Sequence, residues 1–120
     1  MNIVFMGSPE FAIPSLEQIH GSEHTIKAVV SNVDKRRGRG SKTSPTPVKA
    51  KALELGLPVI EVEDFESPEF IEQLRALEAD LFVVVAFRIL PASVLGIPRI
   101  GSVNLHASLL PKYRGAAPIH

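Results

Sequence analysis

The stretch Leu81–Ala86, LFVVVA, carries no charge, no glycine and no proline. It is too short for a globular helix and has no polar position with which a half-exposed strand would alternate. It therefore reads as a strand buried on both faces, the pattern of a central strand in a parallel sheet. Upstream, Ser67-Pro68 gives a helix start, after which Phe70, Ile71, Leu74 and Leu77 fall on one helical face. Pro58–Val62 is a short strand before it. Further back, Thr46 caps and Pro47 opens another helix, with Val48, Ala52 and Leu55 as its apolar stripe and Gly56 as its stop. Thr25–Ser31 (TIKAVVS) and Asn2–Met6 (NIVFM) are the remaining upstream strands. Between them, Ser8-Pro9-Glu10 reads as cap, first-turn proline and dipole-complementing acid for a helix burying Ala12, Leu16 and Ile19, with Pro14 expected to kink or delay it. Downstream, Pro91–Leu95 fits a short helix closed by Gly96, and a last strand runs from about Ile100 to His106.

Strands alternating with helices imply right-handed crossovers and a fold class of α/β, a doubly wound, mostly parallel sheet. Such sheets bind ligands beyond the carboxyl ends of their strands. The segments to inspect are Gly7-Ser8, the loop after Ser31, Phe87 to Pro91, and everything from Asn104 on.

The composition narrows the function classes. In 120 residues there is no Cys, which removes disulfide frameworks, thiolate zinc sites and cysteine nucleophiles. No apolar run approaches the roughly 20 residues of a membrane helix, and MNIVFMGSPEF lacks the basic start of a signal peptide. A cytoplasmic setting is the expectation. The 13 basic and 13 acidic residues cancel, but they are segregated. Lys35, Arg36, Arg37, Arg39, Lys42, Lys49 and Lys51 run without an acid among them, while the acids concentrate between Glu54 and Asp80. No carboxylate follows Asp80. The basic run is interrupted by Gly38, Gly40, Pro45 and Pro47, so Asn32 to Pro45 reads as a long basic loop suited to an anionic partner.

Ser102, Asn104 and His106 share one face of the last strand, since side chains alternate with period two. An amide and an imidazole at a carboxyl-end crevice can stabilise a developing oxyanion and move a proton; a hydrogen-bonded polar pair finishing a strand is the bland alternative. His20 and His24 have helical spacing, but Gly21-Ser22 between them argues against a metal site. The segment after His106 holds two prolines, with Leu109 and Leu110 available to wall an apolar cavity and Lys112 and Arg114 to charge its rim.

Taken together, NLHASLLPKYRGAAPI, IVFMGSPEFAIPSL, SNVDKRRGRGSKTSPTPVK and VVVAFRILP resemble, in order and across the whole chain, the folate-dependent formyltransferases. The resemblance implies a Rossmann-like domain and transfer of a formyl group from 10-formyltetrahydrofolate, the donor, to an amine. Its closest branch acts on the α-amino group of methionine carried by initiator tRNA. It implies that Asn104 and His106 are catalytic, polarising the formyl oxygen. It implies that Phe87, Arg88, Ile89 and Leu90, with Ser108, Leu109, Leu110 and Pro111, meet the folate. Arg36, Arg37, Arg39 and Lys42 would approach the tRNA, and no metal is implied. Residues 1–120 would be the N-terminal part of the catalytic domain, cut partway through its sheet.

Two departures accompany the resemblance. AFRILP places Arg88 where the commoner family form has glycine and is one residue shorter. The family's third catalytic group, an aspartate in a D-x-G motif, would fall after residue 120, so the 120-residue chain alone is expected not to turn over. The full-length enzyme is expected to be monomeric and the isolated chain to self-associate through an open sheet edge. Glycinamide ribonucleotide or an amino sugar as acceptor, and a non-catalytic RNA- or nucleotide-binding module, remain as alternatives. The long basic loop and the single glycine of MGSPEF favour an RNA partner over the first two.

Overall fold

The computed structural model describes residues 1–33, 35–36, 43–85, 87 and 89–105. Its elements are β1 (Asn2–Met6), a single 3-10 turn (Glu10–Ala12), α1 (Ile13–His20), β2 (Thr25–Asn32), β3 (Lys35–Arg36), β4 (Thr43–Ser44), α2 (Pro47–Glu54), β5 (Val59–Val62), α3 (Pro68–Ala76), β6 (Leu81–Val85), α4 (Ala92–Leu95) and β7 (Gly101–Leu105). Five strands form one sheet in the order β5-β2-β1-β6-β7, and every pairing in it is parallel. The chain moves outward from β1 through β2 to β5, then returns past β1 to β6 and β7. The direction of winding therefore reverses beside β1, which is where doubly wound sheets open a crevice.

Alternation along the central strands builds two cores. Ile3 and Phe5 of β1, with Val83 and Val85 of β6, face α1 and α2 and pack with Leu16, Val48 and Ala52. Val4 and Met6, with Phe82 and Val84, face the other way onto Phe70 and Leu74 of α3 and Val94 of α4. Both faces of β6 are thus covered, as its unbroken apolar run requires. The parallel register slips between Ile3 and Val4, which pair with Ile26 and Ala28. The slip accommodates Lys27, which is only half-buried, without turning the rest of β2 over.

Helix starts follow local chemistry. Thr46 Oγ1 accepts from Lys49 N at 3.1 Å and Ser67 Oγ from Phe70 N at 3.5 Å, each with proline in the first turn. Gly56 follows α2 with φ of 76°, a left-handed conformation that ends the helix. The start of α1 differs from expectation. Ser8 does not cap it; the first turn is 3-10, Pro9 precedes it, and the regular helix begins only at Ile13 with Pro14 in its own first turn. The second proline lacks an N–H, so the α-helix starts where that absence costs nothing. The expected basic loop is not wholly irregular either, since β3 and β4 pair antiparallel as a two-residue ribbon, Lys35 with Ser44 and Arg36 with Thr43.

Candidate functional site

The carboxyl ends of β1, β6 and β7 lie side by side, with Met6 paired to Val84, Val84 to Asn104 and Val85 to Leu105. Gly7 continues β1 by donating its N–H to Val30 O at 3.0 Å. A Cβ there would lie 3.2 Å from Val85 O and 3.3 Å from both Ala12 Cβ and Phe5 Cε1. The glycine is what lets the backbone leaving β1 pass close against the end of β6. Just beyond, a shallow pocket lined by Glu10, Phe11, Ile13 and Pro14 opens at the start of the α1 segment.

Asn104 is exposed on β7, in register with Val84 and therefore on the α3/α4 side of the sheet. Ser102, two residues earlier on the same face, donates to Leu95 O at 2.9 Å and so ties the strand to the end of α4. Val103 and Leu105 point the other way, into the α1/α2 core. Phe87 and Leu90 also belong to the α3/α4 side. Phe87 is half-buried and meets Phe65 edge to face with ring centroids 5.5 Å apart, and Phe65 in turn meets Phe70 at 5.8 Å. Leu90 is buried, whereas Ile89 between them is 98% exposed. The described residues after β6 thus split, with the side chains of Phe87 and Leu90 anchoring the segment and that of Ile89 directed to solvent, and the same side of the sheet carries Asn104. An exposed amide on the same side of the sheet as these apolar side chains can orient a planar ligand's carbonyl.

Of the other expected site residues, Arg36 lies in β3, described by its backbone. His106, Arg88, Ser108, Leu109, Leu110, Pro111, Arg37, Arg39 and Lys42 lie outside the described residues. Sequence reasoning missed a buried polar group at the carboxyl end of β2. Ser8, Ser31 and Thr46 are all buried, with Ser8 Oγ 3.3 Å from Ser31 Oγ and Ser31 Oγ 2.5 Å from Thr46 Oγ1. The signal was present: TIKAVV turns abruptly to Ser31-Asn32 where an apolar strand could have continued. Among the described residues, no group of three or more His, Asp or Glu side chains could hold a metal ion, and no helix is long and apolar enough to cross a membrane.

Comparison with known proteins bears on this arrangement. A solved phosphoribosylglycinamide formyltransferase from Coxiella burnetii superposes with a TM-score of 0.58 over 97% of this chain and 56% of its own, at 24% identity, a likeness of fold. Methionyl-tRNA formyltransferases from Moorella thermoacetica and Chlorobium luteolum are 54% and 55% identical to this chain over its whole length. That of Methylococcus capsulatus is 54% identical over 99% of it. The chain spans 39% of the length of each of these three relatives. A family profile described as formyl transferase matches residues 1–120. With the sheet order, the crevice beside β1 and this match in agreement, the chain belongs to the formyl transferase family.

Proposed function

We propose that residues 1–120 are the N-terminal part of a catalytic domain that transfers the formyl group of 10-formyltetrahydrofolate to the α-amino group of methionine carried by initiator tRNA. The observation that carries this reading is identity above half, across the whole chain, to relatives named methionyl-tRNA formyltransferase. The basic ribbon on the carboxyl side of β2 supports an RNA acceptor over a small one, since phosphates reward clustered Lys and Arg.

In this reading the donor folate lies against the segment from Phe87 to Leu90 and the segment Ser108 to Pro111, with its formyl group toward Asn104 and His106. The Asn104 amide donates to the formyl oxygen. The methionyl amine nitrogen attacks the formyl carbon, the carbonyl electrons move onto oxygen, and Asn104 and His106 stabilise the resulting oxyanion. The attacking nitrogen gives up a proton, collapse re-forms the carbonyl and breaks the bond to the folate nitrogen, and that nitrogen leaves carrying the proton the amine has lost. Arg36, Arg37, Arg39 and Lys42 hold the acceptor stem. In this reading the enzyme works in the cytoplasm as a monomer, without a metal.

The test is formylation by the protein purified with all the sequence its gene encodes. Supplied with 10-formyltetrahydrofolate, it should convert methionyl initiator tRNA to the N-formyl form. Formylation of glycinamide ribonucleotide or an amino-sugar nucleotide, with methionyl-tRNA left unchanged, would overturn the reading.

A further inference from the structure

Phe65 stands in an acidic stretch, with Glu61, Glu63, Asp64, Glu66 and Glu69 around it in sequence. It belongs to no helix or strand, lying between β5 and α3, yet it is only 8% exposed. Two hydrogen bonds close the turn around it: Glu66 N donates to Asp64 Oδ1 at 2.9 Å, and Ser67 N donates to Asp64 O at 3.2 Å. The ring is thereby held just beyond the carboxyl end of β5, the outermost strand at one end of the sheet. From there it meets Phe87, beyond the carboxyl end of β6, edge to face with centroids 5.5 Å apart. In the sheet order β2 and β1 lie between β5 and β6, so the contact spans two intervening strands on the α3/α4 side. Phe70, in the first turn of α3, meets Phe65 in turn at 5.8 Å. Of the described side chains just after β6, Ile89 is 98% exposed, while Phe87 and Leu90 pack into the core that contains Phe65. The placing of these residues therefore depends on two side chains, and Phe65 supplies the ring against which one of them rests.

From these contacts we infer that Phe65 is a positioning residue for the formyl donor, acting through Phe87 to hold Ile89 and Leu90 where the donor lies. That the ligand is a folate rests on the function proposed above; the anchoring rests on the ring contacts alone. A wall set in place before binding lowers the ordering cost of the complex. An edge-to-face pair supplies part of the holding energy beyond its buried area. Its loss weakens donor binding without touching the reacting groups, so the effect belongs in the donor KM and leaves kcat nearly unchanged.

The experiment uses the protein purified with all the sequence its gene encodes. It compares Phe65→Leu with Phe70→Leu, which removes the second ring pair and leaves the first. Phe65→Leu should raise the KM for 10-formyltetrahydrofolate about fivefold, the size of one aromatic pair, and speed amide exchange at Ile89 and Leu90. Its kcat and its KM for methionyl-tRNA should stay within about twofold of the parent, as should the donor KM of Phe70→Leu. Phe87→Leu should raise the donor KM less in the Phe65→Leu background than in the parent, since both changes remove the same pair. Phe65→Met, whose flexible side chain refills the space, takes the place of the leucine variant if that one does not fold. An unchanged donor KM in Phe65→Leu, a rise shared equally with the methionyl-tRNA KM or with Phe70→Leu, or full additivity with Phe87→Leu overturns the positioning role. A parent that uses no folate overturns the function proposed above instead. Exchange at Ile89 and Leu90 then decides the anchor by itself: faster in Phe65→Leu than in Phe70→Leu, it stands; equal in the two, it falls.

Discussion

Asp80 and Asn2, 78 positions apart, bond to each other twice: Asn2 N donates to Asp80 Oδ2 at 2.9 Å and Asp80 N donates to Asn2 O at 2.7 Å. Arg99 Nε donates to the other carboxylate oxygen at 3.0 Å, and Ile100 N donates to Asp80 O at 2.8 Å. One residue thus joins the amino ends of β1, β6 and β7, opposite the crevice. The Asn2 N–H and then the Arg99 guanidinium hold the Asp80 carboxyl below its ordinary value. A carboxyl with a lowered folded pKa contributes stability above the unfolded value near 3.9, and that contribution is lost as pH falls through the folded value. Asp80→Asn should therefore lower the melting temperature at pH 7, and the gap to the parent should close below about pH 4. A gap unchanged down to pH 2 would show that the charge does not matter here.

Gly7→Ala tests the close approach at the end of β1. The added Cβ would meet a backbone oxygen at 3.2 Å and two carbons at 3.3 Å, all within packed elements. The expected cost is about 1–3 kcal/mol, as for other overpacked sites, read as a lower urea midpoint at unchanged slope. A variant as stable as the parent would mean that β1 and β6 part without cost.

Leu74→Ala tests the α3 core. Leu74 is fully buried among Val4, Phe70 and Phe82, so the cavity should cost about 2–5 kcal/mol. That is a large share of the stability of a domain this size, and the midpoint in urea should fall accordingly. The exposed Leu53→Ala change, by contrast, should stay within about 0.5 kcal/mol.

Much of this architecture was legible because local patterns and global packing agree. LFVVVA is uniformly apolar since β6 is covered by helices on both faces, and the Thr46-Pro47 and Ser67-Pro68 pairs cap helices as their chemistry dictates. Ser8-Pro9 has the same signature and caps nothing, because the Ser8 hydroxyl accepts from Asn32 N across the sheet, a partner 24 residues away. The order of parallel strands, the slip at Lys27 and the anchoring of three strands by Asp80 depend on pairings distant in sequence, which no local periodicity encodes. At the site, Asn104 follows from strand alternation. The opposite fates of Ile89 and Leu90 do not, since both are apolar and adjacent and only the packing of α4 decides which is buried.

Asn104 allows stability and chemistry to be separated. Its side chain is exposed, while its neighbours Val103 and Leu105 carry the packing of β7. Asn104→Ala should accordingly change the stability of the chain by less than about 0.5 kcal/mol. If its amide donates to the formyl oxygen, losing that donor should slow formyl transfer about 10²–10³-fold, the usual cost of one oxyanion donor. The loss should fall on kcat with folate affinity nearly kept, because the bond strengthens as charge develops on oxygen. Asn104→Asp keeps the shape but replaces a donor with a negative charge, so it should be at least as slow as alanine. Rates for either variant within tenfold of the parent, in the protein purified with all its encoded sequence, would remove Asn104 from the chemistry and leave it a solvent-facing residue at the end of a strand.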